Sequence, residues 1–239
     1  MFKKILVVMM LAVTTFTFTA CDDDSESTKS APTEKSAGSK LSTNKPNVAP
    51  DKAIEDWAMI QVYGTTGDDN EAAASTGMAP ADIDKTFKDR VMSIAKDFQE
   101  EYVLNEEKAT ELAIHYLAKC ADSSNLTVKI KKDDDINPVV TVTFSPVDDD
   151  AIVKKMRGNK EFVDFMRTID PSDQKARKEL EKNEEYQSLI SQGLQEEIFD
   201  EIPVKAAKSI DMECKIFKGY DGKNYWTPED PESLYDVIK

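Results

Sequence analysis

Apolar residues recur every three to four positions over three stretches in the first half of the chain, the spacing of a helix with one buried face. Ile54, Trp57, Ala58 and Val62 form the first face, with order expected from about residue 51. Pro80 suits the first turn of a second helix. Ile83, Phe87, Val91, Ile94 and Phe98 then make a long stripe along it. Asn105 is placed to cap a third helix, where Ala109, Leu112, Ala113, Tyr116, Leu117 and Cys120 share a face. Between the first two, residues 64–77 are rich in Gly, Thr, Asp and Ala and read as a loop with room for one helical turn at 71–74.

The period then drops to two. Leu126, Val128 and Ile130 alternate with Thr127, Lys129 and Lys131; after a turn-like run at 133–138, Val140, Val142 and Phe144 alternate with Thr141 and Thr143. This is the pattern of two antiparallel strands with one face on a core. Helical spacing returns over 148–169, interrupted at Gly158, with Phe162, Phe165, Met166 and Ile169 on one face. Ser172 is placed to cap a highly charged helix running to about Gly193, whose apolar face is only Leu180, Leu189 and Ile190. Leu194, Ile198, Phe199 and Ile202 bring the chain back to the core before Pro203. Ile210, Met212, Cys214 and Ile216 predict a third strand, 219–222 a turn, 223–227 a fourth strand, and Asp230-Pro231 the opening of a last short helix with Leu234, Val237 and Ile238. Helices segregated from a small antiparallel sheet define the α+β class, here helices packed on a curved sheet of about four strands.

The N-terminus has a different grammar. Lys3 and Lys4 precede an apolar run over 5–18, and small residues follow, the three-part layout of an export signal. A membrane-spanning helix needs about 20 apolar residues. This run is diluted by Thr14, Thr15 and Thr17, and Asp22, Asp23 and Asp24 follow at once. Phe18 is too bulky for the third position before an ordinary signal-peptidase cut. Residues 22–50 are Ser, Thr, Lys, Pro, Ala and Asp with almost no large apolar side chains, a composition expected to stay disordered and to act as a tether. Roughly 30 such residues would reach on the order of 30 Å. The division expected is a signal peptide at 1–20, a lipidated cysteine and tether at 21–50, and one α+β domain at 51–239.

Phe18-Thr19-Ala20-Cys21 resembles the lipobox of bacterial lipoproteins, in which the cysteine receives a diacylglyceryl group and the chain is cut before it. The aliphatic residue usual at the Phe18 position is missing. The resemblance implies a covalent diacylglyceryl and acyl lipid on Cys21, no other cofactor, and a place on the extracytoplasmic side of the bacterial envelope. Two or more acyl chains hold a protein stably, at about 0.8 kcal/mol per buried methylene. With the element order and a final hairpin carrying Asp221-Gly222-Lys223 and Trp226, the chain also resembles a group of envelope lipoproteins. Their domain is cystatin-like or nuclear-transport-factor-like. That group's function is generally unassigned, so it implies a shape and no activity.

Charge narrows the partners. Loss of Lys3 and Lys4 with the signal takes the net charge from −15 to −17, which disfavours nucleic acid and anionic lipid surfaces alike. Cys120 and Cys214 fall on core-facing positions and are left open between a disulfide and inert buried thiols. His115 stands roughly 140° round its helix from Cys120, so a nucleophilic Cys–His pair is not expected. With a single histidine and no close cysteine pair, no zinc site is expected. The acidic runs at 22–24, 133–135 and 148–150 lack the alternation and central glycine of a calcium loop. They read as solvated turns and a helix N-terminus, or, at 22–24, as a sorting mark behind Cys21. Tyr220, Tyr225 and Trp226 are candidates for an aromatic contact patch at the hairpin tip, or for cross-strand packing. No phosphate loop, nucleophile elbow or dinucleotide fingerprint occurs. The expected function is a non-enzymatic, lipid-anchored domain binding an envelope protein or a small ligand. The alternatives are a carrier with a pocket between sheet and helices, and a carboxylate hydrolase.

Overall fold

The structure, a computed structural model, describes residues 45–64, 68–160, 163–164 and 173–238. The expected signal peptide, Cys21 and nearly all of the tether fall outside the described residues, as do Phe162, Phe165, Met166, Ile169 and Ser172.

Helix α1 (Pro50–Tyr63) opens on a proline, whose missing N–H is an orphan there in any case, and closes at Gly64 in the left-handed region. A side chain at Gly64 would lie 2.8 Å from the Phe87 backbone, so glycine is required by space as well as by φ. Burial of α1 is wider than one stripe: Ala53, Ile54, Trp57 and Ala58 meet the sheet, while Ile60 and Tyr63 serve two other clusters. The expected loop at 64–77 is a loop followed by a second helix, α2 (Asp69–Thr76). Asp68 starts it by accepting the N–H groups of Asn70 and Glu71. Helices α3 (Pro80–Tyr102) and α4 (Glu106–Ser123) match the expected stripes; Asn105 caps α4 by accepting the Lys108 N–H, and all six residues of the predicted α4 face are buried.

Strands β1 (Thr127–Lys132) and β2 (Val139–Phe144) follow, then helices α5 (Asp149–Gly158), α6 (Gln174–Leu180) and α7 (Glu184–Gly193). A π-helical turn (Leu194–Ile198), strands β3 (Lys208–Lys218) and β4 (Asn224–Pro228), and helix α8 (Ser233–Ile238) complete the order. The single charged helix expected to run to Gly193 is two helices. Asp173 caps α6, the chain breaks at 181–183, and Asn183 caps α7 by accepting the Tyr186 N–H.

The four strands form one antiparallel sheet in sequence order, with Val128, Val142 and Ile210 in one row and Ile130, Val140 and Met212 in the next. One face carries Val140, Val142, Met212, Cys214 and Trp226 against α1 and Leu234 of α8. The other is polar: Thr143 and Ser209 hydroxyls lie 2.8 Å apart, Thr141 donates to Asp211 at 2.7 Å, and Lys131 pairs with the same carboxylate. That alternation is what lets one face stay in water. Ile130, expected in the core row, is 40% exposed, because β1 is an edge strand and its register slips between Ile130 and Lys132. The largest cluster lies among α3, α4, α5, α7 and the π-turn. It is centred on Phe98, Tyr116 and Phe199, whose rings lie 4.8–6.0 Å apart.

Candidate functional site

Register places the turns 133–138 and 219–223 at the same end of the sheet. Strand β3 outruns β2, carrying its turn past the end of the shorter pair. The turn closes on itself: the Gly219 N–H donates to the Lys223 carbonyl at 2.9 Å and the Gly222 N–H to the Gly219 carbonyl at 3.0 Å. Gly222 supplies the positive φ, +77°. The Tyr220 N–H then donates at 3.0 Å to the carbonyl of Gly77, in the link between α2 and α3. The Tyr225 ring is wedged beneath this junction. Any side chain at Gly77 would run into it, and a Cβ at Gly219 would come within 2.6 Å.

A groove of about 210 Å³ lies between this turn and α2, lined by Asn70, Ala73 and Ala74 from α2, Tyr220, Asp221 and Lys223 from the turn, and Asn47 and Val48 ahead of α1. Position of α2 is fixed by a buried polar clamp. Ser75 donates at 2.6 Å to Asp56 of α1, which also meets Lys52 at 2.9 Å; Lys52 in turn approaches Glu71 at 3.5 Å. Lys45 pairs with Asp135 at 2.6 Å, holding the segment before α1 along the same end of the sheet.

Charge within the groove is internally neutralised. Asp221 accepts from the Lys223 ammonium at 2.7 Å, the Lys223 N–H at 3.0 Å and the Tyr225 hydroxyl at 3.0 Å. These bonds hold its carboxyl below the usual range and raise the Lys223 ammonium. Neither is poised to move a proton near neutrality.

Of the expected contact patch, the structure keeps one member at the surface. Tyr220 is 60% exposed, whereas Tyr225 and Trp226 are buried. Trp226 packs opposite Ile216 in the sheet's covered face, the cross-strand use of an aromatic. Cys120 and Cys214 both face the core, as expected, but in different clusters, and both are free thiols. Burial pushes each up to about 12, against partial opposition from the Tyr116 hydroxyl at Cys120 and the Val140 backbone at Cys214. His115 is half-buried on α4. The 133–135 run acts as a turn: Asp134 accepts the N–H groups of Ile136 and Asn137, which with Lys132 hold its carboxyl far below the usual range. At 148–150, Asp148 caps α5. Among the described residues no cluster of three His, Cys, Asp or Glu side chains could hold a metal ion.

Asn47, Asn70 and the role of Lys223 went unseen in the sequence. Asp68 before Asn70 and Glu71 was the available signal, an N-cap that announces α2 where composition alone reads as loop.

The fold is an α+β domain with helices on one face of an open four-stranded antiparallel sheet. No protein-family model and no curated protein matches the chain. Among solved structures it is similar to ycdA of Bacillus subtilis subsp. subtilis str. 168, provisionally described as a lipoprotein, with 14% identity and a TM-score of 0.48. The likeness covers 79% of this chain and 55% of ycdA, so the chain spans little more than half of that protein's length.

Proposed function

We propose that this protein is a lipid-anchored lipoprotein of the bacterial envelope that presents a non-enzymatic binding domain on the extracytoplasmic side. The observation that carries the reading is Phe18-Thr19-Ala20-Cys21, at the end of a charged-then-apolar leader and followed by a polar stretch up to the described fold. No helix among the described residues is long and apolar enough to cross a membrane, which is compatible with a lipid as the anchor. Support for binding rather than catalysis comes from the groove, where Asp221 and Lys223 are engaged with each other. A carboxylate hydrolase needs a protonated acid facing its partner in one cleft. Asp149, pushed up to about 6, sits instead at the start of α5. Between the sheet and α1, Ile54, Trp57, Met212 and Trp226 pack against one another, which favours this reading over a carrier with a pocket at that place. The packing of α1 across one sheet face supports the cystatin-like or nuclear-transport-factor-like description of the domain.

Intact mass and membrane fractionation of the native protein beside Cys21→Ala test the anchor. The expected outcome is a lipid-bearing native form that sediments with membranes and a variant that does neither. Two soluble, lipid-free proteins would overturn it.

A further inference from the structure

The groove between α2 and the β3–β4 turn has a lining that selects among ligand classes. Its acid and base cancel: Asp221 is held by Lys223 and Tyr225, so a charged ligand would have to break that set to gain a partner. The side-chain amides of Asn47 and Asn70 are exposed, and neither is engaged by another described residue. Each offers two donors and an acceptor. An apolar ligand would desolvate them without return. Tyr220, 60% exposed, lines the same groove, and its backbone is fixed by the bond to Gly77. A volume of about 210 Å³ is below the range of drug-sized pockets, about 300–1,000 Å³, and suits one small ring.

A neutral ring with hydroxyls on its edge and C–H groups on its face satisfies all of these at once. The hydroxyls bond to the amides, and the face lies against the tyrosine. We infer that the groove is a saccharide-binding site that takes one sugar unit of a neutral glycan. Tyr220 serves as the stacking platform, and Asn47 and Asn70 as the hydroxyl readers. The inference deepens the binding reading above and is independent of the lipid on Cys21.

The test uses the full-length chain in a zwitterionic, sugar-free detergent. It is screened on an array of neutral mono- to tetrasaccharides and then titrated calorimetrically with the best binder. Saturable binding is expected, weakened about tenfold by Tyr220→Ala and by Asn70→Ala, a loss of the size of one ring contact. Leu189→Ala, exposed on α7, should leave it unchanged. Tyr220→Ala keeps the backbone bond to Gly77, and circular dichroism confirms that each variant is folded. No saturable binding to any member of the array, or binding that both groove variants leave intact, overturns the proposal. A chain that carries no lipid but binds sugar through Tyr220 overturns the anchor and leaves the groove standing.

Discussion

Three carboxyls show how differently the same residue type behaves according to what surrounds it. Asp134 and Asp221 accept hydrogen bonds in exposed turns and are held below their usual range, so what they contribute is present near neutrality and lost on strong acidification. Asp149 runs the other way. Burial at the start of α5 pushes it up to about 6 despite Lys205, and Asp148 and Asp150 add like charge. Its folded value lies above its unfolded one, so the ionised form disfavours folding above about pH 6, and that cost fades as pH falls towards 4. Asp149→Asn is therefore expected to gain about 1 kcal/mol at about pH 7, discounted for partial exposure, and nothing near pH 4. Urea unfolding at both pH values checks this; an equal gain at both would show that charge is not the cause. The acidic run at 148–150 was legible as a helix start. Its burial was not, because the chain segment that covers it, around Lys205, lies far along the sequence.

At the level of elements, α7 holds the junction of α3 and α4. Val103, which ends α3, is a β-branched residue at φ +55°, a conformation that costs on the order of 1–2 kcal/mol. Gln187 secures it: its amide nitrogen lies 2.9 Å from the carbonyls of Val103 and Leu180, and its oxygen accepts the Asn105 N–H at 2.7 Å. Tyr186 adds a 2.6 Å bond to the Tyr102 carbonyl. Gln187→Leu keeps the volume and strands the buried Val103 carbonyl and the part-buried Asn105 N–H, while the Leu180 carbonyl keeps its bond from the Asn183 N–H. A loss of about 1–3 kcal/mol in chemical denaturation is expected. Leu189→Ala, two positions along and 59% exposed, should be near neutral. The stripes of α3 and α4 were legible because each helix buries one face. Gln187 was hidden because a polar residue in a charged segment reads as solvated, and the break at 181–183 because Glu181 and Lys182 are good helix formers on either reading. Only Asn183, a capping residue, marked it.

Over the whole molecule, the core is divided. Val62 and Leu126 touch both of the larger clusters, and each cluster keeps one cysteine. Both thiols are buried with raised pKa values, so neither is a ready thiolate. In a thiol-reagent titration near neutral pH, Cys120 and Cys214 should stay unreacted in the native protein and react promptly in urea. Rapid labelling of either without denaturant would contradict this packing. The α+β class and the strand pairs were readable from periodicity alone. The separation of the two cysteines was not, since inward-facing positions say that a residue is buried and nothing about which cluster receives it. The groove was out of reach for a similar reason: Gly77 and Tyr225 meet only through the tertiary fold.

The pairing of β2 with β3 joins residues on either side of the α5–α7 helices, as in Val139 opposite Glu213. A chain that stops short of Lys208, whether truncated or still being made, leaves β2 as a bare edge. Its row of unpaired N–H and C=O groups, flanked by Val140, Val142 and Phe144, is a template for any other strand. A chain that ends before β3 is thus not a smaller domain but a nucleus for aggregation, and the quality of its production rests on how quickly residues 208–239 arrive.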